Sequence, residues 1–227
     1  MRCLLRRSTA AAFPRVGFRV FLQPNSLQSQ PLSRMTDVLA LFKQTGALLH
    51  GHFILRSGLH SREFFQCALL LQDAPVAAQV CGELAEKLRP FHTEVDGKKP
   101  TVVSPAVGGI IVGQEVARHL GTRHIFVEKD GNGGLVMRRF EITPGERFLV
   151  AEDVVTRGGR VQETIDIIRN LGGVVVAAGS IVDRSGGNLP DFGCPFVSLI
   201  QMTPETFPAD ALPEDLVGIP AMKPGSK

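Results

Sequence analysis

Between Thr101 and Arg184 the sequence alternates short, unbroken apolar runs with segments whose apolar residues fall three or four apart. The run "TVVS" is followed by the turn "PAVGG", the helical stretch "IIVGQEVARHL" closed by Gly121, and a second run, "RHIFVE". After "RFLVAED" comes a helical stripe of Val161, Ile165 and Ile168, stopped by "LGG", and then the long run "VVVAAGSIVDR". Strands that are apolar on both faces and separated by single helices must be covered on both sides, which a mostly parallel sheet achieves. The chain is therefore expected to be a doubly wound α/β protein. The turn-rich "KDGNGG" and "EITPGE" bracket "LVMRRF" and predict a small antiparallel hairpin excursion from that sheet.

Upstream, Val38, Leu39 and Phe42 within "MTDVLALFKQTGAL" mark one helix, with Gly46 placed to end it. "APVAAQVCGELAEKLRP" marks a second, with Pro75 near its start, a stripe of Val76, Val80, Leu84 and Leu88, and Pro90 as terminator. The intervening "GHFILRSGLHSREFFQCALLL" alternates about a Ser-Gly turn and reads as two strands. A chain of 227 residues suits one domain of ordinary size. We expect that domain over residues 35–227, preceded by a leader over 1–34.

Charge bears on the leader and on possible partners. The first 34 residues hold six arginines and no Asp, Glu or Lys. Setting those six aside from 25 basic residues leaves 19 against 22 acidic ones, so the net charge of +3 becomes −3 for the rest. The folded part thus gives no electrostatic reason to bind nucleic acid. An Arg-rich, Ser-containing, acid-free start has the make-up of an organellar transit peptide, mitochondrial or plastid. A disordered extension ahead of a true start at Met35, in a cytoplasmic protein, is the alternative. No apolar run approaches the roughly 18 residues that span a bilayer, so no membrane is expected as a partner. Cys3, Cys67, Cys81 and Cys194 stand far apart without metal-ligand spacing, which argues against zinc and for reduced thiols.

The candidate site is "FLVAEDVVTRGGRVQET", residues 148–164. It places Glu152 and Asp153 at the end of a buried strand, where the ligand crevice of an open parallel sheet lies. Carboxylates accept hydrogen bonds from hydroxyls, so a ribose diol suits them. Thr156 to Arg160 then present main-chain N–H groups with little bulk at Gly158 and Gly159, at a helix N-terminus that favours an anion. A diol site beside a phosphate site describes a ribose 5-phosphate. A Gly-Gly turn alone is more often a plain helix cap, and a Glu-Asp pair alone is often just solvated; their order and spacing together raise the functional reading. Neither a Walker A loop nor GxGxxG is present.

"FLVAEDVVTRGG" resembles the phosphoribosyl pyrophosphate (PRPP) binding motif of the type I phosphoribosyltransferases. "FILRSGLHSREFF", "SPAVGGI", "IVDRSGG" and the terminal "GIPAMKPGSK" resemble segments of the orotate phosphoribosyltransferases, bacterial-type subgroup, so that the likeness runs from about Thr36 to Lys227. The resemblance implies a parallel sheet of the type I kind with a small N-terminal hood, and transfer of the phosphoribosyl group from PRPP to orotate, giving orotidine 5-phosphate and pyrophosphate on the way to UMP. It implies that PRPP is held by Arg56, Glu152, Asp153, Val154, Val155, Thr156, Arg157, Gly158, Gly159 and Arg160, and orotate by Phe64, Phe65, Thr156 and Arg184. Lys129, Glu152 and Asp153 are the implied catalytic groups, Lys129 lying on a loop that in this family reaches into a neighbouring subunit. A homodimer follows, as does a need for Mg²⁺ bound mainly through PRPP, without a protein metal site. Where the family has small residues, this chain has Arg157 and Arg160, with Arg138 and Arg139 as further cations. Those two loop arginines motivate the alternative of a degenerate relative that senses PRPP or a nucleotide. An enzyme for another base is a third reading, opposed by the Phe64, Phe65 and Arg184 matches.

Overall fold

In the computed structural model, residues 37–55, 57–203 and 205–224 are described. The leader, Arg56 and the last three residues of "GIPAMKPGSK" therefore lie outside the described residues. Six strands form the main sheet: β3 (Thr101–Pro105), β4 (His124–Lys129), β5 (Leu135–Val136), β6 (Arg147–Val155), β7 (Val174–Asp183) and β8 (Phe196–Gln201). Their spatial order is β5-β4-β3-β6-β7-β8, parallel throughout except for β5, which runs antiparallel to β4. The doubly wound reading is borne out, and the "LVMRRF" excursion contributes only the two residues of β5.

From β3 the chain passes through α4 (Gly108–Leu120) to β4 on one side, then returns to place β6 on the other side of β3. The direction of winding thus reverses between β3 and β6, and the crevice at such a reversal is the usual ligand site of an open α/β sheet. α3 (Ala74–Leu88) and α4 share one core with Leu149, Ala151 and Ala177 of the sheet. α5 (Gly159–Asn170) packs on the other, against Val103, Phe148 and Val150. Val161, Ile165 and Ile168 of α5 are all buried as their spacing predicts, and each is worth about 1.5–3 kcal/mol of burial. Asp37 caps the first helix, α1 (Val38–Gln44), by accepting from the Ala40 N–H at 3.0 Å.

A second, three-stranded sheet forms the hood: β1 (Leu48–Ile54), β2 (His60–Phe65) and β9 (Thr206–Phe207), in that order. The two expected strands are present, but "CALLL" turns into a short helix, α2 (Cys67–Leu71), instead of prolonging the second. Its Cys67, Leu70 and Leu71 fall on one buried face, a helical spacing hidden in an all-apolar run. Strands β8 and β9 were not anticipated from the sequence. Cys67, Cys81 and Cys194 are free thiols, the first two buried.

Candidate active site

The strand reversal sets two turns side by side. After β3, residues 106–107 lead into α4, so that Gly108 and Gly109 come against the end of β6. A Cβ on Gly108 would collide with the Asp153 carboxylate, and one on Gly109 would lie 3.1 Å from Glu152 Oε1. Only glycine lets the turn approach the two acids this closely.

Adjacent residues of a strand point to opposite faces, and here that difference sets two environments. Glu152 is 7% exposed, whereas Asp153 is half-buried. Each carboxylate folds back onto the main chain: the Asp153 N–H donates to Glu152 Oε1 at 3.0 Å and the Val154 N–H to Asp153 Oδ1 at 2.7 Å. Burial, and then the charge of Asp153, push the Glu152 carboxyl well above the ordinary carboxylate range, against a smaller opposing pull from Arg160. The pair therefore sets a carboxyl whose charged form is disfavoured by burial beside a second carboxyl nearer to solvent.

Past β6 the chain turns through Thr156 and Arg157, both exposed, to Gly158, whose φ of 76° lies in the left-handed region. Glycine is required there twice over, since a Cβ would also meet Pro190 and Phe192 at 2.8 and 2.9 Å. The N–H groups of Arg157, Gly158 and Gly159 find no acceptor among the described residues. They open α5, and a Cβ at Gly159 would meet nothing within 4 Å. Unpaired donors at a helix N-terminus make an anion nest. Arg157 makes no ion pair or hydrogen bond among the described residues. Arg160 is different: its guanidinium donates to Glu163 Oε2 at 2.7 Å and to the Gly133 carbonyl at 2.9 Å.

At the end of β7, the Arg184 N–H donates to the Val155 carbonyl at 2.8 Å, tying the two strand ends together. Its guanidinium is half-buried, lies 5.8 Å from the centroid of the Phe64 ring, and keeps a buried Nε with no partner. Burial draws its pKa below the usual guanidinium value. Cys67, at the start of α2, is close enough to feel Asp153, Glu152 and Arg184, and burial raises its thiol far above the reactive range. This thiol belongs to the site without having been singled out from the sequence, whereas Gly108 and Gly109 stand in the quoted turn "SPAVGGI".

Phe64 thus faces Arg184 as the resemblance implies, whereas the Phe65 ring turns into the core, edge-on to Phe42 at 5.1 Å. The alternation of β2 sends neighbouring rings to opposite sides. Val154 is half-buried and Val155 buried, so what they offer a ligand at the strand end is main chain. Lys129 is exposed at the base of the β4–β5 hairpin, paired in register with Leu135, and no hydrogen bond or ion pair joins it to Glu152 or Asp153 among the described residues. Arg138 is exposed, and Arg139 pairs with Glu128 at 3.2 Å. Among the described residues no group of three or more His, Cys, Asp or Glu could hold a metal ion.

The chain is similar to known proteins in sequence and in fold. The phosphoribosyl transferase domain family matches residues 70–211. The chain is 43% identical to the orotate phosphoribosyltransferase of Carboxydothermus hydrogenoformans over 191 residues, 84% of this chain and 97% of that protein. It is 46% identical, with the same coverage, to orotate phosphoribosyltransferase 2 of Mesorhizobium japonicum. The crystal structure of orotate phosphoribosyltransferase from Aeropyrum pernix superposes with a TM-score of 0.59 at 25% identity, covering 73% of this chain and 93% of that one.

Proposed function

The chain belongs to the phosphoribosyltransferase family, among its orotate phosphoribosyltransferases, and we propose that it transfers the 5-phosphoribosyl group of PRPP to orotate, releasing pyrophosphate and forming orotidine 5-phosphate in pyrimidine biosynthesis. The observation that carries this reading is Arg184. A half-buried guanidinium with an unpaired Nε over an aromatic ring, on a residue whose N–H bonds Val155 two residues before the anion nest, suits a planar, aromatic carboxylate. Uracil and hypoxanthine lack the carboxylate.

Each part then has a task. The N–H nest at 157–159 takes the 5-phosphate, and Glu152 with Asp153 takes the ribose hydroxyls. As pyrophosphate leaves C1 of the ribose, positive charge grows on the ring and the two acids lie under it. A ring nitrogen of orotate attacks C1, so no protein nucleophile is needed. Mg²⁺, carried as a companion of PRPP, would neutralise charge on the departing pyrophosphate. Lys129 would act from the hairpin on the departing pyrophosphate in the neighbouring subunit's site.

The test is to supply PRPP and Mg²⁺ with orotate, uracil or hypoxanthine and follow consumption of each base. Orotate alone should be consumed. Preference for uracil would overturn the role of Arg184, and retained PRPP binding without turnover of any base would favour the sensor reading. The side chain of Arg160, one of the two motives for that reading, is engaged away from the nest.

Three further points belong to the same proposal. Residues 35–227 form one phosphoribosyltransferase domain, the protein is a homodimer, and residues 1–34 direct it to an organelle. The exposed Val107 and Ile111, one turn apart beside the crevice, support a second copy as their cover; sedimentation at micromolar concentration should give twice the chain mass. No helix among the described residues is long and apolar enough to cross a membrane. Fusing 1–34 to a reporter would test targeting, which a diffuse cytosolic signal would refute.

A further inference from the structure

Arg160 and Glu163 use all their terminal atoms on one task. Arg160 donates one amine to Glu163 Oε2 and the other to the Gly133 carbonyl, at 2.7 and 2.9 Å. Glu163 Oε1 in turn accepts the Leu135 N–H at 2.5 Å. One ion pair between the first and second turns of α5 therefore grips a main-chain acceptor and a main-chain donor two residues apart on the β4–β5 hairpin. The hairpin is already closed on itself, since Asp130 Oδ1 accepts from the N–H groups of Asn132 at 2.7 Å and Gly134 at 3.0 Å. A Cβ at Gly134 would lie only 3.3 Å from Glu163 Oε1, so the contact depends on the main chain coming close.

Position makes this more than a surface ion pair. A cation on the first turn of a helix is opposed by the helix dipole. Glu163, three residues on, offsets that opposition, and the residual donor is spent on the hairpin. The same first turn carries Gly159 and follows directly on the anion nest, while the gripped hairpin begins at Lys129. The nest and the hairpin lysine thus sit on one mechanically joined unit.

We propose that Arg160 and Glu163 are positioning residues that clamp the Lys129 hairpin to the phosphate-binding turn, so that the loop bearing this cation is set by the element that holds the 5-phosphate. The catalytic half of this statement rests on the phosphoribosyltransferase reading; the clamp itself does not. The arrangement also accounts for arginine at 160, where a small residue would leave the hairpin unheld.

Hydrogen exchange on the free protein and steady-state kinetics test the two halves separately. In Arg160→Ala the Leu135 amide should exchange about tenfold faster or more, because its region loses its anchor. In the same variant kcat should fall about tenfold, with the KM for PRPP changing less than about threefold, the mark of a group that positions and does not bind. The double variant R160E/E163R keeps an i,i+3 ion pair and improves the dipole match, yet it offers an acceptor to the Gly133 carbonyl and a donor to the Leu135 N–H. It should restore thermal stability without restoring amide protection or kcat. Unchanged exchange in Arg160→Ala overturns the clamp, and so does full recovery of protection and kcat in the double variant. A loosened hairpin with unchanged kcat overturns its role in turnover. If the wild type turns over no base, the functional reading fails while the exchange arm still decides the clamp.

Discussion

Arg184 bears an energetic debt in the free protein. Its Nε is buried without an acceptor, and a buried donor left unpaired costs about 1–3 kcal/mol. A carboxylate arriving over Phe64 would remove that cost and add a charge-assisted bond. Arg184→Ala should therefore raise the KM for orotate roughly ten- to hundredfold, the equivalent of about 1.5–3 kcal/mol, while the KM for PRPP moves little. Comparable losses for both substrates in steady-state kinetics would show that the residue only supports the strand end. At this scale the sequence was legible in placing Glu152, Asp153 and Arg184 at neighbouring strand ends, which the apolar runs before them foretell. It was not legible for Arg160, because its partner on the hairpin is a main-chain carbonyl 27 residues away, which no side-chain pattern records. Phe65 shows a third case: the period of two along β2 sends only one of two adjacent rings towards Arg184, and that consequence was open to sequence reasoning.

Among elements, the decisive meeting is that of the turn before α4 with the end of β6. Gly108 lies so near Asp153 that any side chain must displace the carboxylate or the turn. Gly108→Ala is expected to cost about 1–3 kcal/mol of stability, in line with other overpacked sites, and to lose activity beyond what its melting temperature explains. Thermal melts alongside kinetics at a temperature where the variant is folded would separate the two effects, and wild-type turnover there would refute the tight approach. The alternation from β3 through β7 was readable because each strand is apolar on both faces and each helix has a clear stripe. Strand β9 carries two residues and hence no period at all, while α2 hides its helical spacing in an unbroken apolar run.

For the molecule as a whole, the hood depends on residues remote in sequence. Arg62 of β2 holds Asp215 through both carboxylate oxygens, at 2.6 and 2.7 Å, and lies 4.7 Å from the Phe207 ring centroid. The Met222 N–H donates to the His52 carbonyl and the Ile54 N–H to the Met222 carbonyl, each at 2.8 Å, and buried His52 also bonds the Ile219 carbonyl at 2.7 Å and the His60 ring at 2.6 Å. If Phe64 walls the orotate site and the acids and nest hold PRPP as proposed, deleting residues 205–227 should impair use of orotate more than binding of PRPP, since Phe64 belongs to the hood and the acids and nest to the main sheet. Arg62→Glu should move in the same direction more mildly, and a greater loss on PRPP in either variant, measured by calorimetric titration, would contradict this division. The same closure imposes an order on biosynthesis. As the chain leaves the ribosome, α3 to β8 emerge first, whereas the last strand and latch of the hood are translated after every strand of the main sheet. A nascent chain would therefore form the turn after β6 before the sheet that carries Phe64 could close.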